Sequence, residues 1–357
     1  MLKKYRNDID KIDNDIIYLL NERKNIVREI MNYKLENSMS INDSNREYEI
    51  IKQLINHFPN LNPLLVKKIF RLIFDDSKRE NILKETLQTI DEYLTRRPLI
   101  IAGPCTIESK KQIENIASEL APMGIKFLRG GAFKPRTCAD SFQGLEDEGV
   151  RLLYDAARKH KMYVVTEILE SKQYERNAEY IDVIQIGSRN MTSYGLLKSI
   201  GKLTAKTNKY VLLKRGWSAT INEFLSAADY ILQAGNPNVI LCLRGIRTFE
   251  QIDSAMRFTP DLSAILELKE KTKLPILFDP SHSTGNSKYV KHISNAALVL
   301  GADGLMIEVH NSPKDAIVDS LQAIHPKELE EIIIINVYDE CMDILKTKNG
   351  NTYHICF

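Results

Sequence analysis

The first 36 residues carry an apolar side chain at nearly every third or fourth position. An α-helix turns once in about 3.6 residues, so this spacing places those side chains in one stripe. The pattern predicts a helix over residues 3–36, about 50 Å long at about 1.5 Å per residue. The stripe is heptad-like, with one charged member, Arg23, and it comprises Leu2, Tyr5, Ile9, Ile12, Ile16, Leu19, Arg23, Ile26, Ile30 and Tyr33.

Two further helices are predicted before residue 93. Asn42 or Asp43 is a suitable cap for a helix over residues 44–57, and Asn62 with Pro63 opens a helix over 63–92. A domain of about 90 residues is only about 25–30 Å across, so the first helix must protrude and needs a partner. We therefore expect a homodimer or a homotetramer.

From Leu99 onward, short apolar runs alternate with helical patterns at intervals of about 30 residues, the length of one βαβ repeat. Eight such units fit the size of a (β/α)8 TIM barrel. A doubly wound sheet is the alternative, but polar residues follow every strand, and only a barrel brings all eight strand ends to one pocket. The expected domains are 1–90, a linker 91–98 and a barrel 99–357. The predicted strands are Leu99–Ala102, Lys126–Leu128, Tyr163–Thr166, Val183–Ile186, Val211–Leu213, Val239–Leu243, Pro275–Phe278 and Leu305–Val309.

The composition limits the classes of function that the chain can have. The net charge is +2, which gives no indication of a general nucleic-acid binder. Five widely spaced cysteines argue against a disulfide framework and for a reducing compartment. The sequence contains no apolar run long enough for a membrane span and no signal-peptide core. These features predict a cytoplasmic protein that binds neither nucleic acid nor membrane.

Cationic side chains follow four of the predicted strands. Like charges repel strongly in a poorly solvated cleft, so this set predicts a substrate with several negative charges. Arginine supplies a planar fork that suits carboxylate and phosphate groups. The residues are Arg129, Lys134, Arg189, Lys214 and Arg244.

A second set follows strands 7, 8 and 1, which become neighbours when the barrel closes. His282, Glu308 and Cys105 stand at these strand ends, and Asp319 lies further on. A thiolate, an imidazole and two carboxylates suit a borderline divalent ion such as Mn²⁺, Fe²⁺, Co²⁺ or Zn²⁺. A cation beside an anion pocket indicates Lewis-acid catalysis on a phosphorylated substrate.

The barrel resembles the 3-deoxy-D-arabino-heptulosonate 7-phosphate (DAHP) synthase family, in its beta subgroup. The resemblance runs through residues 97–325 and rests on GPCTIES (103–109), GGAFKPRT (130–137), SFQG (141–144), QIGSRNM (185–191), LLKRG (212–216), ILCLRGIRTFE (240–250), DPSHSTG (279–285) and GADGLMIEVH (301–310). Leu243 and Ser188 depart from the pattern, since the family often has Glu and Ala there, and Val318-Asp319-Ser320 stands where the family often has Ser-Asp-Gly.

The resemblance implies condensation of phosphoenolpyruvate with erythrose 4-phosphate, assisted by a divalent metal. It places Cys105, His282, Glu308 and Asp319 on the metal ligands and Arg136 with Thr137 on the sugar phosphate. A related barrel that makes an eight-carbon sugar acid phosphate is the alternative, which the KPRT motif disfavours. The phosphoenolpyruvate set is Arg129, Lys134, Arg189, Lys214 and Arg244; Glu167 and Asp279 join the substrate pocket, and the catalytic candidates are Lys134, Cys105 and His282.

The first domain resembles the all-helical chorismate mutase (AroQ) family over residues 3–85. A cation in an apolar stripe is costly unless it meets an anion, and Arg23 is such a cation. The resemblance implies a clamp for chorismate or prephenate, which works by positioning and electrostatics. Asn81 stands where the family has Gln or Glu. The domain is thus an isomerase, a sensor of these dicarboxylates or, on the pattern alone, a coiled-coil dimerisation helix. The residues are Arg6, Arg23, Lys34, Asp43, Arg46, Glu47, Ser77 and Asn81.

Overall fold

Eight parallel strands close into a barrel in the computed structural model of the chain. Each strand pairs with the next along the chain, and the first pairs with the last, with Leu99 opposite Gly304. The predicted (β/α)8 barrel is confirmed, and the doubly wound sheet, which would be open, is excluded. The strands are β1 Leu99–Gly103, β2 Phe127–Arg129, β3 Tyr163–Glu167, β4 Val183–Ile186, β5 Tyr210–Lys214, β6 Val239–Leu243, β7 Ile276–Phe278 and β8 Gly304–Glu308.

The chain divides into two compact units, Met1–Glu85 and Thr86–Phe357. Ile90 is fully buried among the inward side chains of the barrel, so this residue packs with the second unit. The boundary after residue 90, with a linker over residues 91–98, stays a prediction from the sequence. The structure describes residues 2–36, 44–70, 72–74, 90–92, 98–135, 140–207, 209–249 and 258–333.

The helices of both units follow the predicted periodicity. In α3, Ile113, Ile116 and Leu120 are buried at spacings of 3 and 4, and the Ser109 hydroxyl caps the helix by accepting from the Gln112 amide at 3.2 Å. None of the described helices is long and apolar enough to cross a membrane. Their bounds are α1 Leu2–Glu36, α2 Ser44–His57, α3 Lys110–Leu120, α4 Glu146–Lys159, α5 Ser171–Asn177, α6 Tyr194–Ala205, α7 Ile221–Gln233, α8 Ser263–Lys271, α9 Pro280–Thr284 and α10 Ser287–Val299.

The three helices predicted before residue 93 are present where the structure describes them. Residues 63–70, 72–74 and 90–92 are helical, and the remainder of the third predicted helix lies outside the described residues. The apolar stripe of α1 is exposed in the single chain: Tyr5 is 57% exposed and Ile12 58%. Such an apolar surface marks a contact site, which agrees with the expected partner.

Side chains alternate in and out along each barrel strand, and this alternation builds the site. In β5, Tyr210 and Leu212 belong to the inner core, and Lys214 is the next inward residue. Apolar inward residues thus fill the barrel floor, and polar ones stand above them. The same succession occurs at Phe127 and Arg129, Val183 and Gln185, Cys242 and Arg244, Leu277 and Asp279, and Met306 and Glu308.

Ile90 fills the barrel floor from outside the sheet, so shortening it should destabilise the barrel. We expect Ile90→Ala to lower the free energy of unfolding by about 2–4 kcal/mol, the usual effect of opening a cavity in a core. Urea denaturation followed by circular dichroism measures this change. Val299→Ala is the control, because Val299 is 82% exposed and should change stability by less than about 0.5 kcal/mol. Equal effects of the two variants would contradict the packing of Ile90.

Candidate active site

Four potential ligand side chains meet above β1, β7 and β8. Cys105, His282, Glu308 and Asp319 each offer one donor atom, and all four atoms lie within 4.8 Å of one another. The Cys105 thiol lies 3.1 Å from Asp319 Oδ2, and His282 Nε2 lies 3.3 Å from Glu308 Oε1. The structure therefore brings together the four residues predicted as metal ligands.

A short helix fixes the orientation of His282. Pro280 begins α9, and the Asp279 carboxylate caps it by accepting from the His282 amide at 2.8 Å. The same carboxylate lies 2.7 Å from His282 Nδ1. Since a carboxylate accepts the proton of Nδ1, Nε2 is left as a lone-pair donor that faces the cluster, an arrangement common behind metal-binding histidines.

Buried basic side chains keep the carboxylates of the site ionised. Burial alone would raise the pKa of Glu308, but His282 and Arg129, whose Nη1 lies 2.9 Å from Oε1, lower that pKa to about 2. Burial would also raise the pKa of Asp279, yet His282 and Lys214 hold it well below its usual range. Both groups are therefore anionic at neutral pH.

The Cys105 thiol needs a nearby cation to lose its proton and become a thiolate. Burial, assisted by the negative charge of Glu308, raises its pKa well above the ordinary value. Lys134 Nζ lies 3.1 Å from the sulfur and 3.0 Å from the Cys105 carbonyl oxygen. A divalent ion coordinates the thiolate form, and one sulfur, one nitrogen and two oxygens form a donor set that suits Mn²⁺, Fe²⁺, Co²⁺ or Zn²⁺. The residues present therefore fit a metal ion.

A cation-rich pocket adjoins the cluster. Its cavity volume is about 110 Å³. Five cationic and two acidic side chains line it, so an anionic ligand would be stabilised there. The lining is Arg129, Lys134, Pro135, Glu167, Gln185, Gly187, Ser188, Arg189, Lys214, Trp217, Arg244, Phe258, His282 and Asp319.

Aromatic and acidic neighbours orient the cations of the pocket. The Arg244 guanidinium lies 4.2 Å from the ring centroid of Phe258 and donates to the His282 carbonyl oxygen at 3.2 Å. The exposed Arg189 lies 4.9 Å from the ring centroid of Trp217. Lys214 pairs with Asp279. Stacking and ion pairing restrict these side chains, which lowers the entropic cost of binding an anion.

Most of the predicted barrel residues meet at this site. Glu167 and Ser188 line the pocket, whereas Arg136 and Thr137 lie outside the described residues. Leu243 is buried in the layer between strands and helices, so its departure from the family pattern concerns packing and not the pocket.

Sequence reasoning missed three residues of the site. Gln185 lines the pocket and donates to Glu167 at 3.2 Å, Phe258 stacks on Arg244, and Gln322 donates to Glu308 at 2.6 Å. The inward alternation of β4 was a signal for Gln185. Phe258 and Gln322 lie in loops, where no periodicity reveals a side chain's direction.

The helical unit holds a second group of predicted residues. The half-buried Arg23 lies with its guanidinium 5.5 Å from the ring centroid of the buried Phe74, and burial lowers its pKa. Arg46 lies 3.5 Å from Glu49 at the start of α2. Arg6 is exposed on α1, while Lys34 and Glu47 are half-buried. Asp43, Ser77 and Asn81 lie outside the described residues.

Both units match known protein families. Residues 88–342 match the DAHP synthetase I family, and residues 5–82 match chorismate mutase type II. The phospho-2-dehydro-3-deoxyheptonate aldolase of Thermotoga maritima is 47% identical over 234 residues, which cover 66% of this chain and 67% of that protein. A 2-dehydro-3-deoxyphosphooctonate aldolase of Fusobacterium nucleatum is 27% identical over 68% of this chain and 90% of its own length.

Solved structures give the same result. The crystal structure of the Thermotoga maritima DAHP synthase matches with a TM-score of 0.63 and 45% identity, covering 69% of each chain. A truncated form of that enzyme matches with a TM-score of 0.60 and 42% identity, over 69% of this chain and 87% of that one. The chain is therefore a member of the DAHP synthetase I family, a transferase, with a chorismate mutase type II domain in residues 5–82.

Proposed function

We propose that the barrel condenses phosphoenolpyruvate with erythrose 4-phosphate at the described pocket, with a divalent metal held by Cys105, His282, Glu308 and Asp319. The observation that carries this proposal is the contact between two sectors: a pocket with five cations and a mixed sulfur, nitrogen and oxygen cluster. When bound, the metal supplies Lewis-acid polarisation of the aldehyde oxygen of the sugar phosphate.

The pocket's own residues bind and orient phosphoenolpyruvate. Arg189 and Arg244 offer guanidinium forks to its phosphate, and Arg129 and Lys214 offer charge to its carboxylate. In the reaction, carbon 3 of phosphoenolpyruvate forms a bond to the aldehyde carbon, water adds at carbon 2, and inorganic phosphate leaves. Holding both reactants in one pocket makes this step effectively unimolecular.

We assign proton donation to Lys134. Burial would lower its pKa, but the neighbouring Cys105 and Glu167 raise it, so the ammonium form persists in the site. An ammonium group beside the reacting carbons can protonate the oxygen that develops from the aldehyde. Arg136 and Thr137 directly follow Lys134 and Pro135, which supports a place for the sugar's phosphate at this side of the pocket.

An eight-carbon product is the second candidate. Its support is the relative from Fusobacterium nucleatum, at 27% identity, against 47% for the heptonate enzyme. The two enzymes' names differ by one carbon in the sugar acid. Parallel assays with erythrose 4-phosphate and arabinose 5-phosphate separate them, and we expect turnover with the four-carbon sugar.

The helical unit, on this proposal, binds chorismate or prephenate through Arg6, Arg23, Lys34, Asp43, Arg46, Glu47, Ser77 and Asn81. Arg23 is the observation that supports it, because a half-buried guanidinium beside a buried ring suits a carboxylate ligand. Asn81 is one methylene shorter than Gln, so we expect slow isomerase chemistry and intact binding, which suits feedback sensing. The exposed stripe of α1 supports a homodimer as the smallest assembly, with a homotetramer possible by further pairing.

The metal assignment predicts a spectroscopic change on substitution of Cys105. The Co²⁺-loaded protein should absorb in the near ultraviolet through sulfur-to-metal charge transfer, and Cys105→Ser should not. Its Mn²⁺ affinity should fall by more than about 100-fold, since changing a residue behind a ligand already costs about 10–100-fold. Cys242→Ala, at another buried cysteine, should keep both properties. An unchanged absorption band in Cys105→Ser would exclude Cys105 as a ligand.

The pocket assignment predicts a loss of phosphoenolpyruvate affinity in Arg244→Ala. Removing one partner of a buried charge pair costs about 2–5 kcal/mol, so the dissociation constant should rise at least about 30-fold. Isothermal titration of the metal-free protein measures it. Arg176→Ala, which removes an exposed arginine paired with Asp147 at 3.0 Å, should bind normally. Normal affinity in Arg244→Ala would move the ligand to another site.

Feedback sensing predicts that prephenate or chorismate inhibits the synthase and that Arg23→Ala loses the inhibition at an unchanged uninhibited rate. A ligand that binds an inactive state about 100-fold more tightly supplies about 2.7 kcal/mol, enough for such coupling. Lys11→Ala, an exposed cation on the same helix, should remain inhibited. Full inhibition of Arg23→Ala would place the effector elsewhere. Deleting the helical unit up to Thr95 would be a less specific test, because it would also remove Ile90 from the barrel floor.

A further inference from the structure

The least regular part of the site is the loop that carries Asp319. This β8 loop, residues 309–324, leaves the barrel after Glu308 and returns where Ile324 bridges Val309. Asp319 adopts φ 56°, a left-handed backbone conformation that a non-glycine residue holds only when its surroundings require it. Three of the four cluster members stand next to strands, whereas Asp319 depends on the loop for its position.

Glu108 ties this loop to the segment that carries Cys105. Its Oε1 accepts a hydrogen bond from the Ile317 amide at 2.9 Å, two residues before Asp319. Its Oε2 lies 3.6 Å from His310 Nε2, at the start of the same loop. His310 Nδ1 accepts from the Ser312 amide at 3.0 Å, so the ring proton is on Nε2 and faces the carboxylate. Glu108 thus contacts the loop at two points.

Gln322 holds the far side of the loop. Its side-chain amide donates to Glu308 Oε2 at 2.6 Å, and its backbone amide donates to the Asp319 carbonyl oxygen at 3.1 Å. Gln322 is only 2% exposed, so water competes little for its hydrogen bonds. It also occupies one oxygen of Glu308 and leaves Oε1 directed at His282, 3.3 Å away.

We propose that Glu108 and Gln322 are positioning residues that set the metal affinity of the cluster by holding Asp319, and in the case of Gln322 also Glu308, in ligating geometry. Neither residue is among those that line the substrate pocket. The inference rests on the proposed metal at this cluster. Groups behind a ligand commonly control its orientation, and losing one weakens metal binding about 10–100-fold.

Two substitutions of Glu108 separate loss of the hydrogen-bond acceptor from loss of the negative charge. Glu108→Ala removes the acceptor of the Ile317 amide, and Glu108→Gln keeps an oxygen there. We expect the Mn²⁺ dissociation constant, from the electron paramagnetic resonance signal of free Mn²⁺, to rise about 10–100-fold in Glu108→Ala and in Gln322→Ala. Glu108→Gln should stay within about threefold of wild type. Saturating Mn²⁺ should restore most of kcat in Glu108→Ala, with an unchanged KM for phosphoenolpyruvate.

Glu223→Ala is the matched control. Glu223 also accepts a hydrogen bond from a backbone amide, that of Thr220 at 2.8 Å, but it caps α7. Thermal melts of the metal-free proteins should show comparable, small losses in both alanine variants, and only Glu108→Ala should lose Mn²⁺ affinity.

Three results would overturn the positioning role. The first is a wild-type Mn²⁺ dissociation constant in Glu108→Ala and Gln322→Ala. The second is an equal loss of Mn²⁺ affinity in Glu108→Gln, which would show that the charge matters and not the hydrogen bond, and the third is an equal loss in Glu223→Ala. Wild-type protein that binds neither Mn²⁺ nor Co²⁺ would overturn the metal site itself, so the two failures are distinguishable.

Discussion

The site depends on a set of buried charges that must neutralise one another at the open end of the barrel. Arg129 meets Glu308 at 2.9 Å, and Lys214 meets Asp279, with every one of these side chains almost fully buried. A buried charge without a partner is strongly destabilising, so each cation fixes the ionised state of an acid. For Glu308, His282 and Arg129 together outweigh the effect of burial and lower the pKa to about 2.

These pairs also connect the two sectors of the site. Asp279 contacts both Lys214 in the anion pocket and His282 in the ligand cluster. Arg129 lines the pocket and pairs with Glu308. An anionic substrate would therefore share cations with the Glu308 and Asp279 carboxylates, and binding in one sector would change the charge balance in the other. Such coupling suits a reaction in which both sectors act on one pair of substrates.

The two units differ in how far they bury their apolar side chains. The barrel buries its apolar surface internally, with a floor formed by inward side chains and Ile90. The long α1 cannot do so within its unit, and residues such as Tyr5 and Ile12 remain more than half exposed. The described inward side chains of the barrel are thus buried by the barrel itself, whereas α1 presents an exposed apolar stripe of the kind that marks a contact site.

The sequence alone determined the barrel, its strand ends and the membership of both charge sets. A period of two along strands and about 3.6 along helices is local, so Lys214 and Glu308 could be placed above apolar residues without coordinates. The motifs around Cys105 and His282 gave the resemblance to the DAHP synthase family. Local pattern also gave α1 and its apolar stripe.

Only the tertiary structure decided how loops complete the site. Glu108 and Ile317 are 209 residues apart and Glu308 and Gln322 are 14 apart, and no repeat in the chain predicts either contact. Phe258 on Arg244 and the left-handed Asp319 are of the same kind. A loop side chain takes its direction from the surfaces on which the loop packs, and those surfaces exist only once the barrel has closed.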